Sequence, residues 1–403
     1  MRQEGSRLRR VVIAGDFASV SGGQAKVAID SACLLAEAGI DVHFFAATGP
    51  VAPQLERTGI TVHCLDQHVI LDDPERLRAI RRGLWNGQAA ASLRALCAQF
   101  DPRDTVLHGH GYAKALSPAV GPVLAKGPLK SVFTMHEYFL ACPNGGFYDY
   151  QRGEICHRKP LGLSCLATHC DVRNPAHKAW RVLRGWIAAR PGMLPGGLRD
   201  VICISHTQRR VMKPYLPQDV RLHQVDNPVV SGLPAVDAAR NKTLVFVGRL
   251  SPEKGALHLA IAARKTGFPV VFVGDGPEAR AILAANPEAT ITGWLRPEEV
   301  QTHLATARAL VFPSLWYEGQ PLAPIEALLR GIPVICGRWC AAAETVSDGV
   351  NGVIYDDPTP DALARALRRL PQDPFDPQSL SDRVAPARHL ARLREVYETV
   401  LSG

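Results

Sequence analysis

The chain has 403 residues, with 46 Lys+Arg against 38 Asp+Glu and a formal net charge of +8. Its 46% hydrophobic and 21% charged content supplies apolar material for two or three domain cores, which excludes a disordered or collagen-like chain. No run approaches the roughly 18 apolar residues of a membrane-spanning helix. The basic start, Met1–Arg10, is followed only by the short apolar run Val11–Ala14, less than the roughly 7–15 residues of an export-signal core. A cytoplasmic protein is expected, with its ten cysteines as thiols or metal ligands. The surplus charge reads either as a solvated face with a few extra arginines or as a match for a phosphate-bearing partner such as a nucleotide, lipid headgroup or nucleic acid. No helix-turn-helix, zinc-finger or aromatic RNA-binding signature occurs, so nucleic acid is not an expected partner.

Short β-branched runs alternate with longer helical patterns from the start. Val11–Ala14, Val42–Ala46, Thr61–Leu65, Thr105–His108, Ser131–Met135 and Val201–Ser205 read as buried strands, and Gly23–Gly39 as a helix stopped by Gly39. This alternation implies βαβ units with helices on both faces of a parallel sheet. The pattern breaks at Asn227-Pro228, and Val229–Asn241 reads as a linker. A second series follows: Leu244–Gly248, Val270–Gly274, Thr290–Gly293, Ala309–Pro313, Pro333–Cys336 and Gly352–Tyr355, then a Pro-rich stretch and two final helical patterns. Two doubly wound domains are therefore expected, 1–228 and 229–386, with a helix over 387–403 packing back on the first. Their facing carboxyl sheet edges would line a ligand cleft.

Charged residues cluster just past the strand ends of the second half. Gly248-Arg249-Leu250 and Lys254-Gly255 follow the first strand, and Gly274-Asp275-Gly276-Pro277 follows the second. Arg offers a planar fork and Lys a point charge for a diphosphate. Gly319-Gln320-Pro321-Leu322 opens a helix whose free amides suit an anion or sugar hydroxyl. Glu318 precedes that helix, and Glu326 lies within it, placed to accept ribose hydroxyls.

Taken in this order, these residues resemble the retaining glycosyltransferases of family 4, which have the GT-B architecture of two facing Rossmann-like domains. The resemblance spans nearly the whole chain. It rests on Phe312–Ala327, with seven residues between Glu318 and Glu326, together with Val247–Leu250 and Lys254-Gly255. It implies that Arg249 and Lys254 bind the donor diphosphate, that Glu318 approaches the donor sugar and that Glu326 holds the ribose. Gly22-Gly23 resembles the family's glycine loop, and His136 the histidine beside the donor sugar. Where the family commonly has a Gly-Gly pair before an acidic turn, this chain has Cys340-Ala341-Ala342-Ala343-Glu344.

The implied activity is hexosyl transfer from a nucleoside diphosphate sugar to a glycan or lipid-linked acceptor, as in surface polysaccharide synthesis. A front-side, retaining mechanism comes with the resemblance. The chain contains no Asp-x-Asp, the usual metal-holding pair on a sugar nucleotide, so no cofactor is expected for catalysis. Alternatives are a non-catalytic nucleotide-sugar-binding protein and a sugar-nucleotide epimerase of the same architecture. Gly274–Ala279 also fits the dinucleotide pattern G-x-G-x-x-A, but Pro277 removes an amide that a pyrophosphate needs. A glycoside hydrolase fails on distance: residues eight apart on a helix stand about 12 Å apart by rise, beyond the roughly 5–9.5 Å it requires.

Two features stand outside this scheme. Cys142, Cys156, Cys165 and Cys170 fall in a polar, loop-like stretch and form a candidate structural zinc site. The Arg-rich helical pattern His177–Arg190 carries Trp180, Leu183 and Ile187. It reads either as a helix packed on the sheet or as a peripheral contact with an anionic membrane.

Overall fold

The computed structural model describes residues 7–230 and 232–403, so Met1–Ser6 of the basic start lie outside the described residues. Fifteen strands are described, in chain order β1 (Arg10–Phe17), β2 (Asp41–Thr48), β3 (Thr61–Cys64), β4 (Thr105–Gly109), β5 (Lys130–Met135), β6 (Tyr148–Asp149), β7 (Glu154–Ile155), β8 (Asp200–Cys203), β9 (Arg221–Gln224), β10 (Thr243–Val247), β11 (Val270–Val273), β12 (Thr290–Ile291), β13 (Ala307–Phe312), β14 (Val334–Gly337) and β15 (Gly352–Tyr355). They form a seven-stranded sheet ordered β3-β2-β1-β4-β5-β8-β9, a six-stranded sheet ordered β12-β11-β10-β13-β14-β15, and the two-stranded hairpin β6-β7. Pairing is parallel throughout both large sheets; only β6 and β7 run antiparallel.

Burial on both faces explains why the inner strands of the two large sheets are mostly apolar runs. In β10, Leu244 and Phe246 join one core with the helices Ala256–Thr266 and Pro360–Leu367, while Val245 joins another with Ile325 and Leu328 of the helix Leu322–Leu329. Successive side chains thus enter opposite layers. The described helices include none long and apolar enough to cross a membrane.

The chain divides into two compact units. The first runs to Gly145 and adds Arg158–Pro228 and Pro386–Gly403; the second joins Gly146–His157 to Val229–Ala385. The C-terminal helix Pro386–Ser402 belongs to the first unit, with Leu393, Val396, Tyr397 and Val400 in its core. Polar bonds fix it there: Tyr397 Oη lies 2.7 Å from His108 Nδ1, and His389 bridges Ser31 and the Asp226 carbonyl.

Residues 146–157, which the sequence division left in the first unit, fold with the second instead. They form the β6-β7 hairpin, with Tyr148 buried at 1% exposure. The Gly146 backbone lies against the Trp316 indole so closely that a Cβ would stand 2.5 Å from the ring. Strand β9 also has no counterpart in the apolar pattern. It is a polar edge strand whose Arg221 and His223 both bind the buried Asp200 of β8, at 2.7 and 2.8 Å. A charged edge discourages pairing with another chain.

Candidate functional site

In the second unit the strand order reverses between β10 and β13, the switch point at which open α/β sheets bind ligands beyond their carboxyl ends. Arg249 and Lys254 follow β10 and Glu318 follows β13, so topology alone brings them to one place. Two close backbone approaches shape the loops. At Gly255 (φ 67°) a Cβ would lie 2.2 Å from the Pro313 carbonyl oxygen, so only glycine lets the β10 loop reach the β13 loop. At Gly276 a Cβ would lie 2.3 Å from the Leu250 carbonyl oxygen, and Leu250 N donates to the Asp275 carbonyl at 2.9 Å. The Gly-Asp-Gly-Pro motif therefore clamps the loop that carries Arg249.

Lys254 and Glu318 meet directly, Nζ to Oε1 at 2.7 Å. Oε1 also accepts from Ser314 Oγ at 2.7 Å and from Trp316 Nε1 at 2.8 Å, and the Lys254 ammonium sits 5.1 Å from the Trp316 ring centroid. Burial disfavours the Glu318 carboxylate, yet Lys254 and these hydrogen bonds hold its pKa below the ordinary glutamate value. Burial likewise works against the Lys254 ammonium, and Glu318 more than offsets it, raising the lysine pKa. The result is a fixed ion pair at the mouth of a helix. Trp339 steadies it from behind by donating to the Ser314 carbonyl at 2.8 Å, and the fully buried Cys340 thiol faces it. Ser314, Trp316 and Trp339 were not legible as site residues. Their role depends on side-chain direction, which spacing does not encode.

Arg249 is exposed and makes no ion pair among the described residues. Gly319 and Gln320 are buried, and Pro321 caps the helix Leu322–Leu329 in extended conformation. Leu322 is the helix's first residue, and Glu326 lies one turn further in, half-buried.

The first unit has its own switch point, between β1 and β4. Gly22 (φ 118°) and Gly23, after β1, start the helix Gly23–Glu37, and both are exposed. His136 follows β5, and its Nε2 lies 3.0 Å from Nδ1 of His110, which follows β4. Burial pushes both imidazoles down, His136 to about 3, so the pair is neutral and shares one proton. His110 is thus a neighbour of His136 that the sequence reading left without a role.

The zinc expectation is corrected. Among the described residues no group of three His, Cys, Asp or Glu side chains could hold a metal. Cys142, Cys165 and Cys170 lie in the first unit, whereas Cys156 belongs to the hairpin segment of the second. A cation already sits at the thiols: Lys178 Nζ lies 3.0 Å from Cys170 Sγ and 3.6 Å from Cys165 Sγ. The Arg-rich helix runs over Pro175–Ala189. Val182 and Ala188 face inward, while Leu183 and Trp186 stand 45% and 51% exposed.

Residues 21–230 match the family model Glycosyltransferase Family 4, and residues 241–373 match Glycosyl transferases group 1. The chain is 37% identical over 115 residues to a GDP-mannose-dependent alpha-mannosyltransferase of Corynebacterium glutamicum, covering 28% of each chain. It is 30% identical over 145 residues to a GDP-mannose-dependent alpha-(1-6)-phosphatidylinositol monomannoside mannosyltransferase of Mycobacterium tuberculosis, covering 32% of this chain and 38% of that one. The matches thus span well under half the length of these relatives. Two solved structures share the GT-B fold over nearly the whole chain. Anabaena Alr3699/HepE in complex with UDP has TM-score 0.65 at 14% identity, covering 97% of this chain and 100% of that one. Sucrose-phosphate synthase from Thermosynechococcus elongatus has TM-score 0.64 at 16% identity, covering 98% and 97%.

Proposed function

Because the chain belongs to Glycosyltransferase Family 4, we propose that it transfers a hexosyl group from a nucleoside diphosphate sugar to a glycan or lipid-linked acceptor. The observation that carries this reading is the Lys254–Glu318 pair at the switch point of the second sheet, with Arg249 exposed beside it. A mannosyl donor, GDP-mannose, is favoured by the two relatives named above.

In this reading Arg249 and Lys254 neutralise the diphosphate as it departs, helped by the amides that open the helix at Leu322. Gly248 and Gly276 set the loop that carries Arg249. Gly319, Gln320, Pro321 and Leu322 border the sugar, and Glu326 holds the ribose. Glu318, pinned by three donors, presents negative charge to a sugar that gains positive character in the transition state. In the first unit Gly22 and Gly23 leave open backbone for the acceptor or phosphate, and neutral His136 offers one hydrogen bond to the sugar. The acceptor hydroxyl attacks from the face the diphosphate leaves and gives its proton to that phosphate, so the anomeric configuration is retained. With two protein cations on the diphosphate and no Asp-x-Asp in the chain, no divalent metal is required. Exposed Leu183 and Trp186 on a basic helix suit a peripheral contact with an anionic membrane, where lipid-linked acceptors reside.

A thermal-shift screen against GDP-mannose, UDP-glucose and related nucleotide sugars, followed by turnover of the best binder, tests the reading. Saturable stabilisation by one donor, with α-linked product from an α-configured donor by NMR, is expected. No stabilisation by any nucleotide sugar, or an inverted product, contradicts it. Binding without turnover in the presence of membrane extract favours a non-catalytic binding protein.

A further inference from the structure

The first unit holds a charged cluster that glycosyl transfer does not use. Lys178 is buried at 5% exposure, a position at which lysine is rarely found without a carboxylate partner. Its ammonium is instead directed at two sulfurs, Cys170 at 3.0 Å and Cys165 at 3.6 Å. Cys170 Sγ also lies 3.1 Å from Asn144 Nδ2, and the same amide group donates to the Cys170 carbonyl at 2.8 Å. A sulfur that receives an ammonium and an amide together is acting as an acceptor, which a thiolate does far better than a thiol. Charge balance points the same way, because a buried ammonium needs a counter-charge and a Cys170 thiolate would supply it. Burial alone would lower the lysine pKa; hydrogen bonding and attraction to Cys170, with Cys165 and Cys142 behind it, raise it.

The cluster adjoins a surface element: Cys165 lies on the four-residue helix Leu163–Leu166, whose Leu163 is 87% exposed. We propose that Cys170 is a lysine-paired thiolate and the chain's site of oxidation by hydroperoxides, with Cys165 as the resolving thiol. The thiolate attacks one peroxide oxygen and the O–O bond breaks. Sulfur is oxidised to the sulfenic acid, the peroxide is reduced, and the departing hydroxide takes a proton from the Lys178 ammonium to leave as water. The Cys165 thiol then attacks the sulfenic sulfur, forming an S–S bond and releasing a second water.

The test exploits a conflict between exposure and activation. Cys33 and Cys64 are more exposed than Cys170, but burial raises the pKa of both. If exposure decided reactivity they would oxidise first. Purified full-length protein is treated at neutral pH with hydrogen peroxide at equimolar amount, quenched with dimedone, digested with trypsin without reduction and mapped by mass spectrometry. The peptide 159–173 carries both Cys165 and Cys170 and should lose two hydrogens before any other cysteine reacts. Cys165→Ser should leave Cys170 trapped as the dimedone adduct, and Lys178→Met should slow the reaction about tenfold or more. If Lys178→Met does not fold, the Cys165→Ser label alone decides. Earlier modification of Cys33 or Cys64, a disulfide to any other cysteine, an unchanged rate in Lys178→Met, or stoichiometric zinc in the purified protein overturns the proposal.

Discussion

Replacing Gly255 by alanine should damage the second unit in a way that separates backbone strain from site geometry. Gly255 has φ 67°, where an L side chain costs about 1–2 kcal/mol. Gly267, twelve residues on at the other end of the helix Ala256–Thr266, has φ 74° and carries the same strain. The two differ in surroundings: a Cβ at Gly267 meets nothing within 4 Å, whereas one at Gly255 would stand 2.2 Å from the Pro313 carbonyl oxygen. That neighbour is backbone and cannot swing aside, so the β10 and β13 loops must separate. Overpacking of this kind typically costs about 1–3 kcal/mol more.

Gly267→Ala should therefore lose about 1–2 kcal/mol and Gly255→Ala about 2–5 kcal/mol. Urea unfolding followed by tryptophan fluorescence reads the loss, since Trp316 and Trp339 both lie in this unit. The separated loops also loosen the 2.7 Å contact between Lys254 and Glu318, so donor affinity should fall about tenfold in Gly255→Ala and hold in Gly267→Ala. Equal destabilisation by the two variants, or unchanged donor affinity in Gly255→Ala, would show that the Gly255–Pro313 approach does not hold the site together.

Arg249→Ala removes an exposed side chain with no ion-pair partner among the described residues, so stability should stay within about 0.5 kcal/mol while donor affinity falls about tenfold or more in calorimetric titration. Glu318→Gln should lower kcat with donor binding largely kept, and Glu326→Gln should raise the donor KM instead; steady-state kinetics that show only KM changes for both would remove Glu318 from the transition state. Trp316→Phe deletes one donor to a charged acceptor, worth about 1.5–3 kcal/mol, and should lower kcat about tenfold or more if Glu318 must be held in place. The buried His108 is held down to about 3 by burial and by His136 and His389, against an ordinary value of 6.5. Below pH 6.5 the unfolded chain takes up a proton that the folded chain refuses until about pH 3, so the first unit should weaken as pH falls through that window. His108→Gln should flatten the decline in urea midpoints, and midpoints independent of pH between these values would contradict the assignment.

The inner strands of both large sheets were legible because they are buried on both faces, as Leu244, Val245 and Phe246 are. The polar edge strand β9 was not, since Arg221 and His223 are fixed by the single buried carboxylate of Asp200 rather than by a hydrophobic layer. The hairpin β6-β7 was hidden for a different reason. Two-residue strands leave no period, and the segment meets the second unit through a contact of Gly146 with Trp316, 170 positions away. In the site, charge and order exposed Arg249, Lys254 and Glu318, but not the three-donor grip on one oxygen of Glu318. The zinc reading failed because cysteine spacing cannot reveal that a lysine eight residues past Cys170 turns its ammonium onto the same sulfur.

Donor consumption in the absence of free metal is the decisive measurement for transfer by Lys254 and Arg249 without a metal cation. Purified protein, with EDTA present and an acceptor-bearing membrane extract supplied, is incubated with each member of a nucleotide-sugar panel, and nucleoside diphosphate release is measured alongside Lys254→Ala. Acceptor-dependent release from one donor is expected, GDP-mannose first among the panel, with near loss in Lys254→Ala. Release from no donor, release that requires added Mg²⁺ or Mn²⁺, or equal release by Lys254→Ala would contradict that expectation.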